Sequence, residues 1–354
     1  MIKYLGSKRT LLPLICRIVE QLGEVRSVAD LFSGTSRVGH ALKRQGYQVF
    51  ANDHNAYAAT LGRCYVQADL QDVGPRAEQL IAEFNTLAGK PGYFTETFCE
   101  KSHFFQPHNG ARVDAIREAI AQKCLEPELE AVLLVALMEA ADRVDSTTGV
   151  QMAYLKQWAP RSLRDLELRL PEVLSRATHG KGSAFQLDAL EATAAIEADV
   201  AYLDPPYNQH KYLGNYHIWE SLVLWDKPEV YGKACKRIDC HDRTSAFNRK
   251  RGAQPALQAI IDGVRAKHLV VSFSNEGYLR REDLEAMLAR RGHVLVLSQD
   301  FRRYVGAQIG IYGPQGNKVG AVSHLRNVEF IYVVTPDPVR LAAVDGIIAR
   351  SPQG

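Results

Sequence analysis

"VRSVADLFSGTSRVGHALKRQGYQVFAND", residues 25–53, contains two short apolar runs separated by a glycine-containing turn and an amphipathic segment. The runs at 25–32 and 47–53 read as strands, and the segment between them has helical spacing and ends at Gly46. A strand, a turn, a helix and a second strand in this order are typical of the opening of a parallel sheet, because parallel neighbours need a crossover connection. This stretch therefore predicts an α/β fold.

The second half of the chain returns to the same alternation. Further strands are predicted at 198–204, 268–274, 293–299 and 328–334, with a helix at 280–292. Residues 70–185 differ, since they are helix-rich and polar apart from one strongly apolar helix, "PELEAVLLVALMEAADRV". We therefore expect residues 1–69 and 186–350 to form one discontinuous α/β domain that carries 70–185 as an insertion.

Composition limits the classes of function. The 354 residues are 46% hydrophobic and 23% charged, as in a globular protein with a substantial core. We find no apolar run of about 18 residues that would span a membrane and no secretory signal pattern, so a cytoplasmic protein is expected. The net charge of +3 does not by itself indicate a nucleic-acid partner.

The cysteines do not indicate a metal site. The six are scattered without a regular spacing, and Cys235, Cys240 and His241 have no second ligand pair nearby. We expect free thiols and no bound metal.

The first strand-to-helix turn carries Asp30, Gly34 and Gly39. Glycine allows a tight bend and the close approach of a ligand. Asp53 follows Gly34 by about 20 residues, at the tip of the second strand, where an acid accepts hydrogen bonds from ribose hydroxyls. The pattern suits an adenosine-containing ligand, although a plain tight turn fits this stretch equally well.

The same turn argues against a nicotinamide cofactor. "GTSRVG" has Ser36 where the dinucleotide fingerprint has its middle glycine, and a pyrophosphate requires that close approach. A cofactor without phosphates, such as S-adenosylmethionine, does not have this requirement.

A second motif, Asp204-Pro205-Pro206-Tyr207, directly follows the strand predicted at 198–204. An exocyclic amine of a nucleobase is a poor nucleophile because its lone pair is delocalised into the ring. Asp204 and the Pro205 carbonyl can accept its two hydrogens if the joint is rigid, and two prolines supply that rigidity. Tyr207 can stack on the base, which must be flipped out of a duplex to be reached.

These motifs carry a resemblance to a known family. "DPPY" after a strand resembles the catalytic motif of amino-group DNA methyltransferases, and "DLFSGTSRVG" resembles their cofactor motif, with a departure at Ser36. "KYLGSKRTLLPLI" is similar to the first cofactor segment of Dam-like adenine methyltransferases, and "ADRVDSTTGVQMAYLKQW" and "SAFNRKRGA" also resemble segments of that family. The order of the parts resembles that of the alpha group.

The resemblance implies an adenine-specific enzyme that uses S-adenosylmethionine. Its fold would be a Rossmann-like methyltransferase mixed sheet flanked by helices, and 70–185 would be an inserted DNA target-recognition domain. The implied catalytic residues are Asp204, Pro205, Pro206 and Tyr207. The implied cofactor-binding residues are Tyr4, Gly6, Lys8, Asp30, Phe32, Gly34, Asp53 and Asp188.

Individual roles also follow from the resemblance. Tyr4, Gly6 and Lys8 would close over the methionine end of the cofactor, with Lys8 pairing with its carboxylate. Asp188 would contact the adenine amine of the cofactor, although its position before a helix also suits an N-cap.

Residues 227–252 are a candidate DNA-binding segment, because lysine and arginine outnumber acids there and aromatic residues are interspersed. Lys211, Arg249, Lys250 and Arg251 are the predicted DNA contacts. Within the insertion, base readout is expected near Lys101, His103, His108 and Arg112.

The expected partner is double-stranded DNA, with no membrane or metal, and a companion restriction endonuclease is left open. Methylation of the cytosine 4-amino group is an alternative, although Asp204 and the motif order favour adenine. An RNA or protein amide methyltransferase and a recognition subunit without activity are further candidate classes, and a nicotinamide enzyme is the last of them.

Overall fold

The computed structural model describes residues 1–6, 8–209, 211–302, 311–312, 318–320 and 326–349. Its strands, in chain order, are β1 Ser27–Asp30, β2 Gln48–Asn52, β3 Ser183–Phe185, β4 Glu197–Leu203, β5 Val230–Tyr231, β6 Lys236–Arg237, β7 Arg265–Ser274, β8 His293–Arg302, β9 Ile311–Tyr312, β10 Lys318–Gly320 and β11 Arg326–Thr335. Seven of them form one sheet in the order β3-β2-β1-β4-β7-β11-β8, in which β11 is antiparallel to both of its neighbours and the other pairs are parallel.

The described α-helices are α1 Leu12–Gln21, α2 Arg37–Arg44, α3 Ala56–Gly62, α4 Leu70–Asn85, α5 Tyr93–Thr95, α6 Pro107–Gln122, α7 Pro127–Arg143, α8 Ala189–Ala195, α9 Tyr212–Asn215, α10 His217–Leu224, α11 Lys250–Gly263, α12 Arg281–Leu288 and α13 Pro338–Ala349. Apolar side chains of α1, α2 and α13 pack on one face of the sheet, and those of α8, α11 and α12 pack on the other. A mixed α/β sheet flanked by helices is thus confirmed, and each strand predicted from an apolar run is present.

The parallel register decides where the polar residues meet. Ala29 of β1 pairs with Phe50 of β2 and with Ala201 of β4, so the carboxyl ends of these three strands lie side by side. Ligands bind in α/β proteins outside these carboxyl ends. Residues that end or directly follow these strands are therefore brought together at one edge of the sheet.

The helices of the 70–185 segment share a hydrophobic core with the rest of the chain. Phe84 and Leu137, from within the segment, are buried in the same cluster as Tyr57 of α3 and Trp219 of α10. The segment therefore packs directly on helices of the sheet domain. That this segment is an inserted DNA target-recognition domain stays a proposal.

The short strand β3 joins the sheet beside β2 at the end of that segment. Sequence reasoning did not predict it, because it has three residues and all are only half-buried. Among the residues that the structure describes, no helix is long and apolar enough to cross a bilayer.

Candidate active site

A cleft opens at the carboxyl edge of the sheet, where Asp30 ends β1, Asp53 follows β2 and Asp204 follows β4. The eight residues expected to bind the cofactor all line it: Tyr4, Gly6, Lys8, Asp30, Phe32, Gly34, Asp53 and Asp188. The structure therefore brings the three separate sequence motifs into one site.

The glycine turn forms the floor of the cleft. Gly34 adopts φ +50°, a left-handed backbone conformation that favours glycine. A Cβ there would lie 3.4 Å from the Tyr4 ring, in ordinary contact, so the backbone accounts for the glycine. The Gly34 N–H donates to Asp53 Oδ2 at 3.1 Å, which ties the turn to the end of β2. Ser36, at the position where the family motif has glycine, also has a positive φ of 57°. Ser36 therefore occupies a backbone conformation that glycine adopts more readily.

Buried polar atoms without partners line the same cleft. Asp30 Oδ1, Ser33 Oγ and Tyr202 Oη have no hydrogen-bond partner among the described residues. Burying an unpaired polar atom costs about 1–3 kcal/mol, so such a group marks a place where a polar ligand is accommodated. Burial, together with the nearby carboxylates of Asp204 and Asp53, raises the pKa of Asp30 to about 8.

Aromatic rings fix the N-terminal segment over the cleft. The Tyr4 ring stacks between Tyr212, at a centroid distance of 5.3 Å, and Tyr216, at 4.6 Å. The Tyr216 hydroxyl accepts the Leu5 N–H at 2.6 Å. On another wall, Phe32 packs edge-on against Phe247 at 5.2 Å.

These aromatic partners were not identified from the sequence. Tyr212 and Tyr216 follow the DPPY motif within a few residues, but nothing local indicates that they face a segment at the N-terminus. Their proximity in the chain to a proposed catalytic motif is the one signal that points to them.

Asp204 pairs with Lys8. Lys8 Nζ lies 3.0 Å from Asp204 Oδ1 and 2.5 Å from Glu329 Oε1, so one buried ammonium bridges two carboxylates. Burial and, to a smaller extent, the Glu329 carboxylate raise the pKa of Asp204 to about 6 against the opposing effect of Lys8. The role predicted for Lys8, pairing with the methionine carboxylate, stays a prediction, because in this structure its ammonium is held by protein carboxylates.

The rest of the DPPY motif divides between the cleft and the protein interior. Pro206 lines the cleft and Pro205 stands between it and Asp204. The Tyr207 ring packs edge-on against Phe273 at 6.0 Å, and its carbonyl accepts the Tyr278 N–H at 3.0 Å. The motif is thus anchored to the chain that follows β7, and stacking of Tyr207 on a base stays a prediction.

Asp188 caps the helix α8 and also lines the cleft. Its Oδ1 accepts the Leu190 N–H at 2.9 Å, and Glu191 accepts the Asp188 N–H at 3.1 Å, which is a capping box at the start of α8. The same residue lines the cleft. The N-cap role is therefore confirmed, and the contact of Asp188 with the cofactor stays a prediction.

Of the candidate DNA contacts, one lines the cleft and three follow residues of its wall in the chain. Lys211 lines the cleft and donates to the carbonyls of Cys240 and His241 at 3.2 and 3.3 Å. Arg249, Lys250 and Arg251 are exposed at the start of α11, directly after Phe247 and Asn248 of the cleft wall.

The basic residues of the inserted segment are mostly engaged within the protein. Arg112 donates to the carbonyls of Asn85 and Leu87, with the shortest contact at 2.6 Å, and so helps to hold α6 against the end of α4. The His103 ring stacks on Trp158 at 5.5 Å. Lys101 pairs with Glu96, and His108 lies 3.7 Å from Asp165.

Across the described part of the chain, no cluster of three or more His, Cys, Asp or Glu side chains has the arrangement of a metal site. The cysteines are free thiols, and Cys235 and Cys240 are buried.

Comparison with known proteins places this arrangement in context. A family model described as D12 class N6 adenine-specific DNA methyltransferase matches residues 4–287. The type II methyltransferase M.FokI of Planomicrobium okeanokoites is 30% identical over 321 residues, which are 85% of this chain and 48% of that protein. The modification methylase StsI of Streptococcus sanguinis is 31% identical over 81% of this chain and 46% of its own length.

A third relative, the type II methyltransferase M.NlaIII of Neisseria lactamica, is 29% identical over 78% of this chain and 83% of its own length. The chain thus spans about half the length of the first two relatives and most of the third.

Proposed function

The chain belongs to the D12 class of N6 adenine-specific DNA methyltransferases, and from this premise we propose that it transfers a methyl group from S-adenosylmethionine to the exocyclic 6-amino group of adenine in double-stranded DNA. Membership of the family implies a methyl donor. The observation that carries the proposal is the position of Asp204 at the carboxyl end of β4, in the same cleft as the Gly34 turn and Asp53.

The polar groups of the cleft suit a nucleoside cofactor such as S-adenosylmethionine. Acids and bases are balanced in its lining, which contains the aspartates Asp30, Asp53, Asp188 and Asp204 and the cations Lys8, Arg37, Lys211 and Arg243. A carboxylate at the end of a parallel strand can accept hydrogen bonds from ribose hydroxyls. We assign Asp53 to the ribose hydroxyls, and Gly34 leaves room for close approach. When bound, S-adenosylmethionine supplies an electrophilic methyl group.

Asp204 would act on the nucleophile. Its side chain is 19% exposed and can accept a hydrogen bond from the 6-amino group of a base in the cleft. As the amine nitrogen formed its bond to the methyl carbon, the carbon–sulfur bond of the sulfonium would break and leave a neutral thioether. The nitrogen would gain positive charge, which the Asp204 carboxylate would stabilise until the proton is released to water. Pro205 and Pro206 would fix the carboxylate and the Pro205 carbonyl relative to each other.

The substrate is proposed to be duplex DNA because the relatives are named type II methyltransferases and a modification methylase. These names also support a companion restriction endonuclease. Association with the nucleoid is part of the proposal because DNA is the proposed substrate. Reaching the amine requires the adenine to be flipped from the helix. Lys211, which lines the cleft, and the exposed Arg249–Arg251 segment would contact the phosphate backbone beside the flipped nucleotide.

One experiment tests the reaction, the base and the site together. The chain is expressed in a host that lacks DNA methylases, and its genome is sequenced with detection of modified bases. N6-methyladenine at one recurring sequence is expected. Methylation of cytosine N4, or an unmodified genome, would overturn the proposal.

An Asp204→Asn variant serves as the matched control, because it keeps the shape of the side chain and removes its charge. We expect methylation to be lost while binding of S-adenosylmethionine, measured by calorimetry, is largely retained. A variant that methylates at a rate near that of the wild type would contradict the assignment of Asp204.

A further inference from the structure

Glu329 is a buried acid that sequence reasoning did not connect with the site. It lies on β11, opposite Ser274 of β7, and its side chain is 11% exposed. Its Oε1 accepts the Ser272 hydroxyl at 2.7 Å and lies 2.5 Å from Lys8 Nζ. Two neighbouring strands therefore fix a carboxylate behind the lysine that contacts Asp204.

The arrangement places Lys8 between a fixed carboxylate and a reactive one. The Glu329 carboxylate is held by Ser272 within the sheet, whereas the Asp204 carboxylate faces the cleft. Lys8 itself is 9% exposed, and a buried ammonium that lost all of its partners would incur a large desolvation cost. With Glu329 present, Lys8 retains one charged partner when Asp204 leaves it to bind the amine of a base.

We infer that Glu329 is a positioning residue for methyl transfer, which holds the Lys8 ammonium in place so that Asp204 can exchange its contact with Lys8 for the amine of the target base. This inference rests on the proposed function, because it assigns a role in the reaction at that site. Lys8 then acts on the part of the cleft that would bind the target base, and its ammonium is the counter-ion of Asp204.

The charges around Asp204 explain why a counter-ion is needed. Among the described residues, the titratable groups that interact electrostatically with Asp204 are Lys8, Glu329, Asp30, Tyr202, Tyr207 and Tyr212. Lys8 is the cation among them and lowers the pKa of Asp204, whereas burial and Glu329 raise it. Glu329 therefore has two separable effects, since it tethers Lys8 and it also adds a negative charge near Asp204.

A Glu329→Gln variant tests both effects. Without the tether, Lys8 pairs with Asp204 alone and competes with the base amine, so kcat is expected to fall roughly 10- to 100-fold. Removal of the charge lowers the pKa of Asp204, so the acidic limb of the pH–rate profile moves to lower pH. The dissociation constant of S-adenosylmethionine, measured by calorimetry, is expected to remain unchanged.

Two further variants separate charge from packing. Ser272→Ala removes a hydrogen bond to Glu329 and keeps the charge of Glu329. The acidic limb of the pH–rate profile should therefore stay in place, and kcat should fall less than in Glu329→Gln. Glu285→Gln, on the exposed face of α12 where Glu285 pairs with Arg281, makes the same chemical change away from the site and should alter neither quantity.

The outcomes distinguish this inference from the proposed function. A wild-type chain that methylates no adenine refutes the function itself. A wild-type chain that is active, with a Glu329→Gln variant whose rate falls equally at every pH and whose acidic limb stays in place, refutes only the positioning role. A weaker affinity for S-adenosylmethionine in that variant would also refute it.

If Glu329→Gln does not fold, Glu329→Asp provides the test. It keeps the charge and shortens the reach to Lys8, so a lower kcat with an unmoved acidic limb is expected. A wild-type kcat in Glu329→Asp would overturn the inference.

Discussion

The ammonium of Lys8 lies 3.0 Å from the carboxylate of Asp204, although the two residues belong to the N-terminal segment and to the end of a central strand. A charged hydrogen bond of this kind favours the ionised carboxylate. Burial has the opposite effect and is the larger one, so the pKa of Asp204 is raised to about 6. The protonation state of Asp204, the proposed catalytic carboxylate, is thus set by contacts between distant parts of the chain.

The first prediction concerns pH. Methylation should decline as the pH falls through about 6, because a protonated Asp204 accepts hydrogen bonds from the base amine poorly. The measurement is kcat/KM for a duplex substrate from about pH 5 to about pH 9. Lys8→Met should move the acidic limb to higher pH, since Lys8 lowers the pKa of Asp204. A profile without an acidic limb would contradict the assignment.

The second prediction concerns stability and Asp30. The pKa of Asp30 is raised to about 8, so the folded chain binds the carboxyl proton of Asp30 more tightly than the unfolded chain does. The free energy of unfolding therefore decreases as the pH rises from the ordinary pKa of an aspartate to about 8. Asp30→Asn removes this effect. Its Tm relative to the wild type should therefore increase over that pH range, by about 2 °C or more near pH 8.

Asp199→Asn is the matched control, at the opposite end of the same pair of strands. Asp199 accepts the N–H groups of Arg26 and Ser27, and its pKa is lowered. The Asp199 carboxylate therefore stabilises the folded chain above the ordinary pKa of an aspartate, and its removal should lower the Tm at neutral pH. Equal shifts in the two variants would show that the environment of Asp30 is wrongly described.

The third prediction separates the two roles of Asp188. Asp188→Ser keeps an N-cap oxygen, whereas Asp188→Ala removes it and should cost about 1 kcal/mol in the free energy of unfolding. If Asp188 also contacts the cofactor, both variants should bind S-adenosylmethionine more weakly. Denaturant unfolding and calorimetry give the two quantities, and full affinity in Asp188→Ser would limit the residue to capping.

The fourth prediction concerns the exposed basic residues at the start of α11. Neutralising Arg249, Lys250 and Arg251 should weaken binding to all DNA sequences alike and flatten the salt dependence, by up to about 0.9 in the log–log slope for each phosphate that the variant no longer neutralises. Fluorescence anisotropy at several salt concentrations measures the slope.

Arg265 and Lys267 provide the control for that experiment. Both are exposed near the start of β7, at the opposite edge of the sheet from the cleft. Replacing them with alanine should leave the slope unchanged. An equal change in both sets of variants would indicate a diffuse charge effect in place of a DNA-binding segment.

Much of the fold and of the site followed from local sequence. The strands β1, β2 and β4 were predicted from short, mainly apolar runs, and parallel pairing necessarily brings their carboxyl ends together. Asp30, Asp53 and Asp204 each end or directly follow one of these runs, so their meeting could be predicted from position alone. The glycine at position 34 could also be interpreted locally, because a tight turn constrains the backbone at that residue.

The partners of these residues depended on the tertiary structure. The sequence shows Glu329 inside the apolar run "VEFIYVV", and a buried acid in a strand signals that it needs a partner, but it does not identify the partner. That Glu329 faces Lys8 depends on the insertion of β11 between β7 and β8 in antiparallel register. Likewise, Tyr4 stacks on Tyr212 and Tyr216 only because the N-terminal segment folds over the cleft.

The sequence by itself thus determined which backbone segments are strands and turns, and which acids stand at the strand ends. Only the tertiary structure decided which charges and rings touch. Local conformation depends on interactions between near neighbours in the chain, whereas an ion pair such as that of Lys8 with Glu329 depends on strand order and register, which are set by the packing of the whole sheet.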